Sequence, residues 1–139
     1  MEFKFESYKK CLKFAMENNY SFANLSDALE DKGKSILLRH DIDFSLDDAL
    51  KFAEIESSLG IQSTYFIRTH CKYYNAFSYS SKNILNNIES LGHFIGLHFE
   101  EDYYKPEKIY EFINFEKKLL DSLLSTPVNF IAPHEPTRT

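Results

Sequence analysis

An α/β fold is what this sequence predicts, built on about four parallel strands as a small open sheet or as part of a larger (β/α) barrel. Three observations carry the prediction. From Ser35 onward, short β-branched and aromatic runs alternate with segments of helical periodicity at a spacing of roughly 30 residues, as in successive βαβ units. Gly60 and Gly92 stand where two of the periodic segments stop, the position at which glycine closes a helix. Each predicted strand also runs into ionisable side chains, and parallel α/β folds collect their ligands at the carboxyl ends of their strands.

Residues 1–34 read as an N-terminal helical segment ahead of that alternation. Tyr8, Cys11, Leu12, Ala15 and Met16 recur at helical spacing, and Leu25, Ala28 and Leu29 predict a second short helix that closes before Lys32 and Gly33. "SILLR" (residues 35–39) is the first strand. Ser45 then stands at an N-cap with Asp48 three residues on, a variant of the capping box. Leu46, Ala49, Leu50 and Ala53 form the inner face of the helix that ends at Gly60. "STYFI" (residues 63–67), β-branched and aromatic, is the second strand. A polar, tyrosine-rich loop leads to a helix from about Ser80 that carries Ile84, Leu85, Ile88 and Leu91. "FIGL" (residues 94–97) is the third strand. Pro106 suits the first turn of a helix with Ile109, Tyr110, Ile113, Leu119, Leu120 and Leu123 at its apolar positions. "VNFIA" (residues 128–132) is the fourth strand.

Composition narrows the function classes. The hydrophobic share of 43% supports a packed core, and the net charge of −5 with scattered lysines and arginines gives no basic surface for nucleic acid. Cys11 and Cys71 are too few for a disulfide framework and lack metal-ligand spacing, which predicts free thiols in a reducing compartment. The N-terminus alternates charge with aromatic residues and has no apolar run of the signal-peptide kind. No stretch approaches the roughly 20 apolar residues of a membrane span. A cytoplasmic location is expected, and the oligomeric state is not encoded in any readable way.

The strand ends carry the chemistry. His40, Asp41 and Asp43 follow the first; Arg68, Thr69 and His70 the second; His98, Glu100, Glu101 and Asp102 the third; His134 and Glu135 the fourth. Two carboxylates one residue apart, Asp41 and Asp43, repel each other when both are ionised in one pocket, and a divalent cation is the natural compensation. His98 and His134 are the nitrogen ligands that neighbouring strand ends offer. One aspartate and two histidines with an open position is a common arrangement for zinc or another transition ion that activates water, leaving the other aspartate to accept a proton. Plainer roles compete. Asp43 also suits a helix cap, and Glu100, Glu101 and Asp102 an acidic helix entry. His40 points away from Asp41 in an extended strand, which assigns it to packing or to orienting Asp41. His93, between a helix-ending glycine and a strand, reads as buried support, and His70 as solvated in its loop. Arg39 is a pairing partner for a nearby carboxylate. Tyr73, Tyr74 and Tyr79 suit either a sugar site or a cover over the barrel mouth.

"LLRHDIDFS" (residues 37–45), "STYFI" and "GHFIGLHFE" (residues 92–100), in this order and spacing, resemble the polysaccharide deacetylase family, carbohydrate esterase family 4, and especially its branch with an H-D-x-D first motif among surface-polysaccharide biosynthesis proteins. The likeness spans residues 36–136. It implies a distorted (β/α) barrel that hydrolyses N-acetyl or related amide bonds of amino sugars with a divalent metal, usually zinc. By the same resemblance Asp41 is the general base, Asp43 the metal-binding aspartate and His98 the first histidine ligand. Four residues beyond His98, where the family has its second histidine, stands Asp102, with Glu100 and Glu101 beside it. "IAPHEP" (residues 131–136) places His134 where the family offers an arginine near a proline, so His134 and Asp102 are the two candidates for the third ligand. The later motifs, with the histidine that protonates the leaving amine, do not follow within these residues, which implies that residues 35–139 are the N-terminal part of such a barrel. The expected function is metal-dependent hydrolysis of amide bonds in a sugar or polysaccharide precursor. The alternative is a truncated, catalytically reduced relative that serves as a carbohydrate-binding or interaction module.

Overall fold

Residues 4–27 and 33–135 are described by the computed structural model. In chain order they form α1 (Phe5–Glu17), β1 (Ser21–Ala23), β2 (Ser35–Leu37), β3 (Arg39–Ile42), α2 (Leu46–Ser58), β4 (Thr64–Ile67), α3 (Tyr79–Ser90), β5 (Phe94–Phe99), α4 (Ile109–Asp121) and β6 (Ile131–Pro133). β3, β4, β5 and β6 lie side by side in that order, all parallel, in one curled sheet that makes half a barrel. Helices α2, α3 and α4 make the three crossovers. β1 and β2 pair with each other as a separate two-stranded parallel sheet.

The helix starts follow their capping residues. Ser45 accepts a hydrogen bond from the Asp48 backbone N–H at 3.1 Å, and Ser78 accepts one from the Ser81 N–H at 3.2 Å, each filling an orphan donor of a first turn. Gly60 and Gly92 take φ values of +72° and +94° behind α2 and α3, left-handed geometry that a side chain would strain.

Alternation along the strands sorts the side chains onto two faces. Tyr65, Ile67, Ile95, Leu97 and Phe99 point to the helix layer and are buried against Leu46, Ala49, Ala53, Leu85, Ile88 and Leu120. Burying each large apolar side chain contributes about 1.5–3 kcal/mol, so this seam holds the half-barrel together. Arg39, Asp41, Phe66, Gly96 and His98 lie on the other, concave face.

Several boundaries differ from the sequence reading. "SILLR" is not one strand: β2 stops at Leu37, and the first strand of the main sheet is "RHDI", beginning at Arg39. Between them the Leu38 carbonyl still accepts the Thr64 N–H at 3.3 Å. "RHDI" has no apolar alternation because its concave face is Arg39 and Asp41 while its other face is His40 and Ile42. β1 was not anticipated, and its pairing with β2 crosses the expected boundary at residues 34 and 35. Leu25 lies in a turn, while Ala28, Leu29 and Lys32 of the expected second helix fall outside the described residues. β5 runs on to Phe99, so His98 is inside the strand rather than after it. Pro106 opens a single 3-10 turn (Pro106–Lys108) ahead of α4, Leu123 lies beyond that helix, and the last strand is Ile131–Pro133 with Val128 buried ahead of it. Among the described residues no helix is long and apolar enough to cross a membrane.

Candidate metal centre

Three strand ends bring Asp43, His98 and His134 together. Asp43 follows β3, His98 is the fifth residue of β5, and His134 follows β6, where its backbone N–H donates to the Phe99 carbonyl. Asp43 Oδ1 lies 3.4 Å from His98 Nε2 and 3.2 Å from His134 Nδ1, and the two nitrogens are 3.3 Å apart. These three residues could hold a metal ion.

The chemistry of the donor atoms fits that use. His98 is buried, and its Nδ1–H donates to the Ala132 carbonyl at 3.2 Å, which leaves the Nε2 lone pair facing the other two groups, within hydrogen-bond reach of His134 Nδ1. Burial pushes the His98 imidazole below its ordinary pKa, against the opposing pull of Asp41 and Asp43, and so favours the neutral, ligating form. Asp43 Oδ1 is buried and accepts no hydrogen bond. A buried carboxylate oxygen without a donor is costly, and a cation between it and two imidazole nitrogens removes the deficit.

Asp41 stands beside this group, with Oδ2 3.9 Å from His98 Nε2. Arg39, two residues earlier on the same face, grips it at both oxygens, Nε to Oδ1 at 2.7 Å and Nη2 to Oδ2 at 2.9 Å. Arg39 in turn lies over the Phe66 ring, 4.8 Å from its centroid. The ring packs directly on Gly96, where a Cβ would come within 2.6 Å of it.

The other residues singled out from the sequence lie elsewhere. His40 points to the helix side, stacks on Tyr65 with ring centroids 4.6 Å apart, and donates from Nε2 to Glu56 at 2.5 Å. Glu56 is fully buried and also accepts from Tyr8 (2.5 Å), Tyr65 (2.7 Å) and Ser63. Burial alone would raise the Glu56 pKa, but the hydrogen bonds and charge of His40 and the Ser63 and Tyr8 hydroxyls outweigh it and hold the carboxyl down to about 2. His93 is buried on the same side, donating from Nε2 to the Ala53 carbonyl at 2.8 Å and accepting the Ser63 N–H at Nδ1. Both histidines therefore brace the fold. Asp102 is exposed on the short 3-10 turn Glu101–Tyr103 and is not one of the three clustered residues; His134 takes that place. His70, expected to be solvated, is 2.8 Å from the buried Glu116 and packs on Tyr103.

One residue of the site was not assigned from the sequence. Arg68, directly after β4, has Nη2 2.8 Å from Glu100 and Nη1 4.0 Å from Asp43 Oδ1. The signal was present, since Arg68 occupies on the second strand the place that Asp43 occupies on the first. Compared with known proteins, the chain matches no family model and no curated relative.

Proposed function

We propose that the protein is a metal-dependent hydrolase of carbon–nitrogen bonds, removing an acyl group from an amide of a sugar or polysaccharide precursor in the manner of the polysaccharide deacetylases, in the cytoplasm. The observation that carries the reading is the spacing of Asp43 Oδ1, His98 Nε2 and His134 Nδ1, 3.2–3.4 Å pairwise, with no hydrogen bond donated to the carboxylate oxygen. Four ligands set tetrahedrally at about 2.0–2.1 Å from one zinc ion stand about 3.4 Å apart, a spacing like that of these three atoms, which supports the reading.

A zinc ion held there would supply a Lewis acid that acidifies water and draws charge from an acyl oxygen. Asp41 is the proton acceptor for the attacking water. Arg39 occupies one lone pair on each Asp41 oxygen, which leaves others free to take a proton, and the carboxylate is exposed to the cleft. The guanidinium fixes the direction of the Asp41 carboxylate, so the base is set before substrate arrives.

The test is metal content together with acetate release. The purified chain should retain zinc, or take it up with a rise in melting temperature, and release acetate from N-acetylated amino-sugar oligomers. Asp43→Ala and His98→Ala should each abolish uptake, whereas Asp41→Ala should keep the metal and lose the activity. A protein that holds no zinc, nickel, cobalt or manganese and is not stabilised by added zinc overturns the reading.

A further inference from the structure

Arg68 is held close to the metal ligands by contacts that leave its charge only partly answered. Its backbone N–H donates to the Tyr74 hydroxyl at 2.9 Å, and that hydroxyl donates to the Ile42 carbonyl at 2.7 Å, which ties the start of the loop after β4 to the residue just before Asp43. The side chain is only 12% exposed. Glu100 takes one edge of the guanidinium at 2.8 Å, the Arg68 Nε is buried with no acceptor, and Nη1 stands 4.0 Å from Asp43 Oδ1. That oxygen is itself buried without a donor. The guanidinium, through Nη1, thus stands beside a buried carboxylate oxygen that has no hydrogen-bond donor of its own. The oxygen is also one of the three atoms placed to take a metal.

We propose that Arg68 is a rival counter-ion for Asp43, that Glu100 holds it back, and that this pair sets how tightly the centre takes a divalent metal. The inference rests on the metal-dependent reading above. A metal entering beside Asp43 meets a fixed positive charge a few ångströms away, and in a partly buried site that repulsion is weakly screened. Without the metal, a modest closure of the 4.0 Å gap gives Asp43 an ion pair in its place. Glu100 opposes both effects by cancelling the guanidinium charge and anchoring it on the far side. Arg39 plays no such part, because its Nε and Nη2 are directed at the two oxygens of Asp41. Arg68 is in this sense a positioning residue, one that disfavours the loaded centre, and its removal has the opposite sign from the loss of a supporting contact.

The experiment is zinc titration of the full chain by calorimetry against a competing chelator, with circular dichroism to check folding. Arg68→Met should tighten zinc binding by about 10–100-fold, the range over which residues around a metal centre act. Glu100→Gln should weaken it, and the double variant should bind like Arg68→Met alone, because Glu100 acts through Arg68. Should Arg68→Met fail to fold, Arg68→Gln, which keeps an amide donor for Glu100, carries the same expectation. Arg68 variants that bind zinc no more tightly than wild type, or a Glu100→Gln loss that persists without Arg68, overturn the proposal while leaving the metal centre standing. A wild-type chain that binds no zinc removes the reading beneath it instead.

Discussion

Replacing Gly96 with alanine would place a methyl carbon 2.6 Å from two atoms of the Phe66 ring and 3.1 Å from the Phe130 carbonyl oxygen. Carbon atoms in contact settle at about 3.5–4.0 Å, so the ring must retreat by about 1 Å from a position where it is 97% buried by its own fold, being only 3% exposed. Overpacking of this kind costs about 1–3 kcal/mol, or roughly 3–10 °C of melting temperature in a chain of this size. The displacement is also directional. Arg39 lies over the same ring at 4.8 Å, so it moves with Phe66 and loosens its two-point grip on Asp41. Thermal unfolding of Gly96→Ala should show the loss, and the double variant F66L/G96A should recover most of it by vacating the space. A Gly96→Ala protein that melts with wild type, or one that Phe66→Leu does not rescue, refutes the claim that the bare backbone at residue 96 seats the aromatic ring under Arg39.

Other outcomes follow from the same contacts. Glu56→Gln should destabilise the fold by about 2–4 kcal/mol in chemical denaturation at neutral pH, since it strips charge-assisted acceptors from Tyr8, His40, Ser63 and Tyr65 at a fully buried site. Because the folded-state pKa of Glu56 is depressed from 4.5 to about 2, its stabilisation is present above the ordinary carboxylate range and is lost as pH falls between those values. Wild type should therefore lose stability over that interval more steeply than Glu56→Gln, and parallel curves would count against the depressed pKa. His134→Ala should abolish zinc uptake while Asp102→Ala leaves it unchanged, which a zinc titration of the two variants checks directly. Ser45→Ala should cost about 1 kcal/mol through the lost cap on α2, measured by urea unfolding.

The parallel half-barrel was legible because each crossover helix announced itself with an apolar stripe, the first also with its Ser45 cap, and the first two with a closing glycine. Asp43, His98 and His134 were legible because strand ends converge in this architecture, so residues 36 or more positions apart could be grouped from topology alone. What was not legible has particular physical causes. β3 carries two charged residues and a histidine in four positions, and only the hydrogen-bond register with β4 shows it to be the sheet strand. β1 is three residues long, too short to leave a periodic signal. Glu56 gave no signal in the sequence; its burial depends on Tyr8 and on Ser63 and Tyr65 arriving from two other segments, which no local pattern encodes. Arg68 went unassigned because its role depends on where Glu100 comes to rest across the sheet.

β3 passes between two ionic systems that never meet. His40 leans one way toward Glu56, and Asp41, the next residue, leans the other way toward His98. The strand thus works as a partition: a slip of one position in its pairing with β4 would send the imidazole into the cleft and the aspartate against a buried glutamate, two errors at once. A misregistered chain would therefore be penalised on both sides, which makes the ladder between Arg39–Ile42 and Thr64–Ile67 self-correcting. It also means that the acidity of the cleft and the firmness of the helix layer can be altered by substitution independently, although the residues responsible are adjacent in the chain.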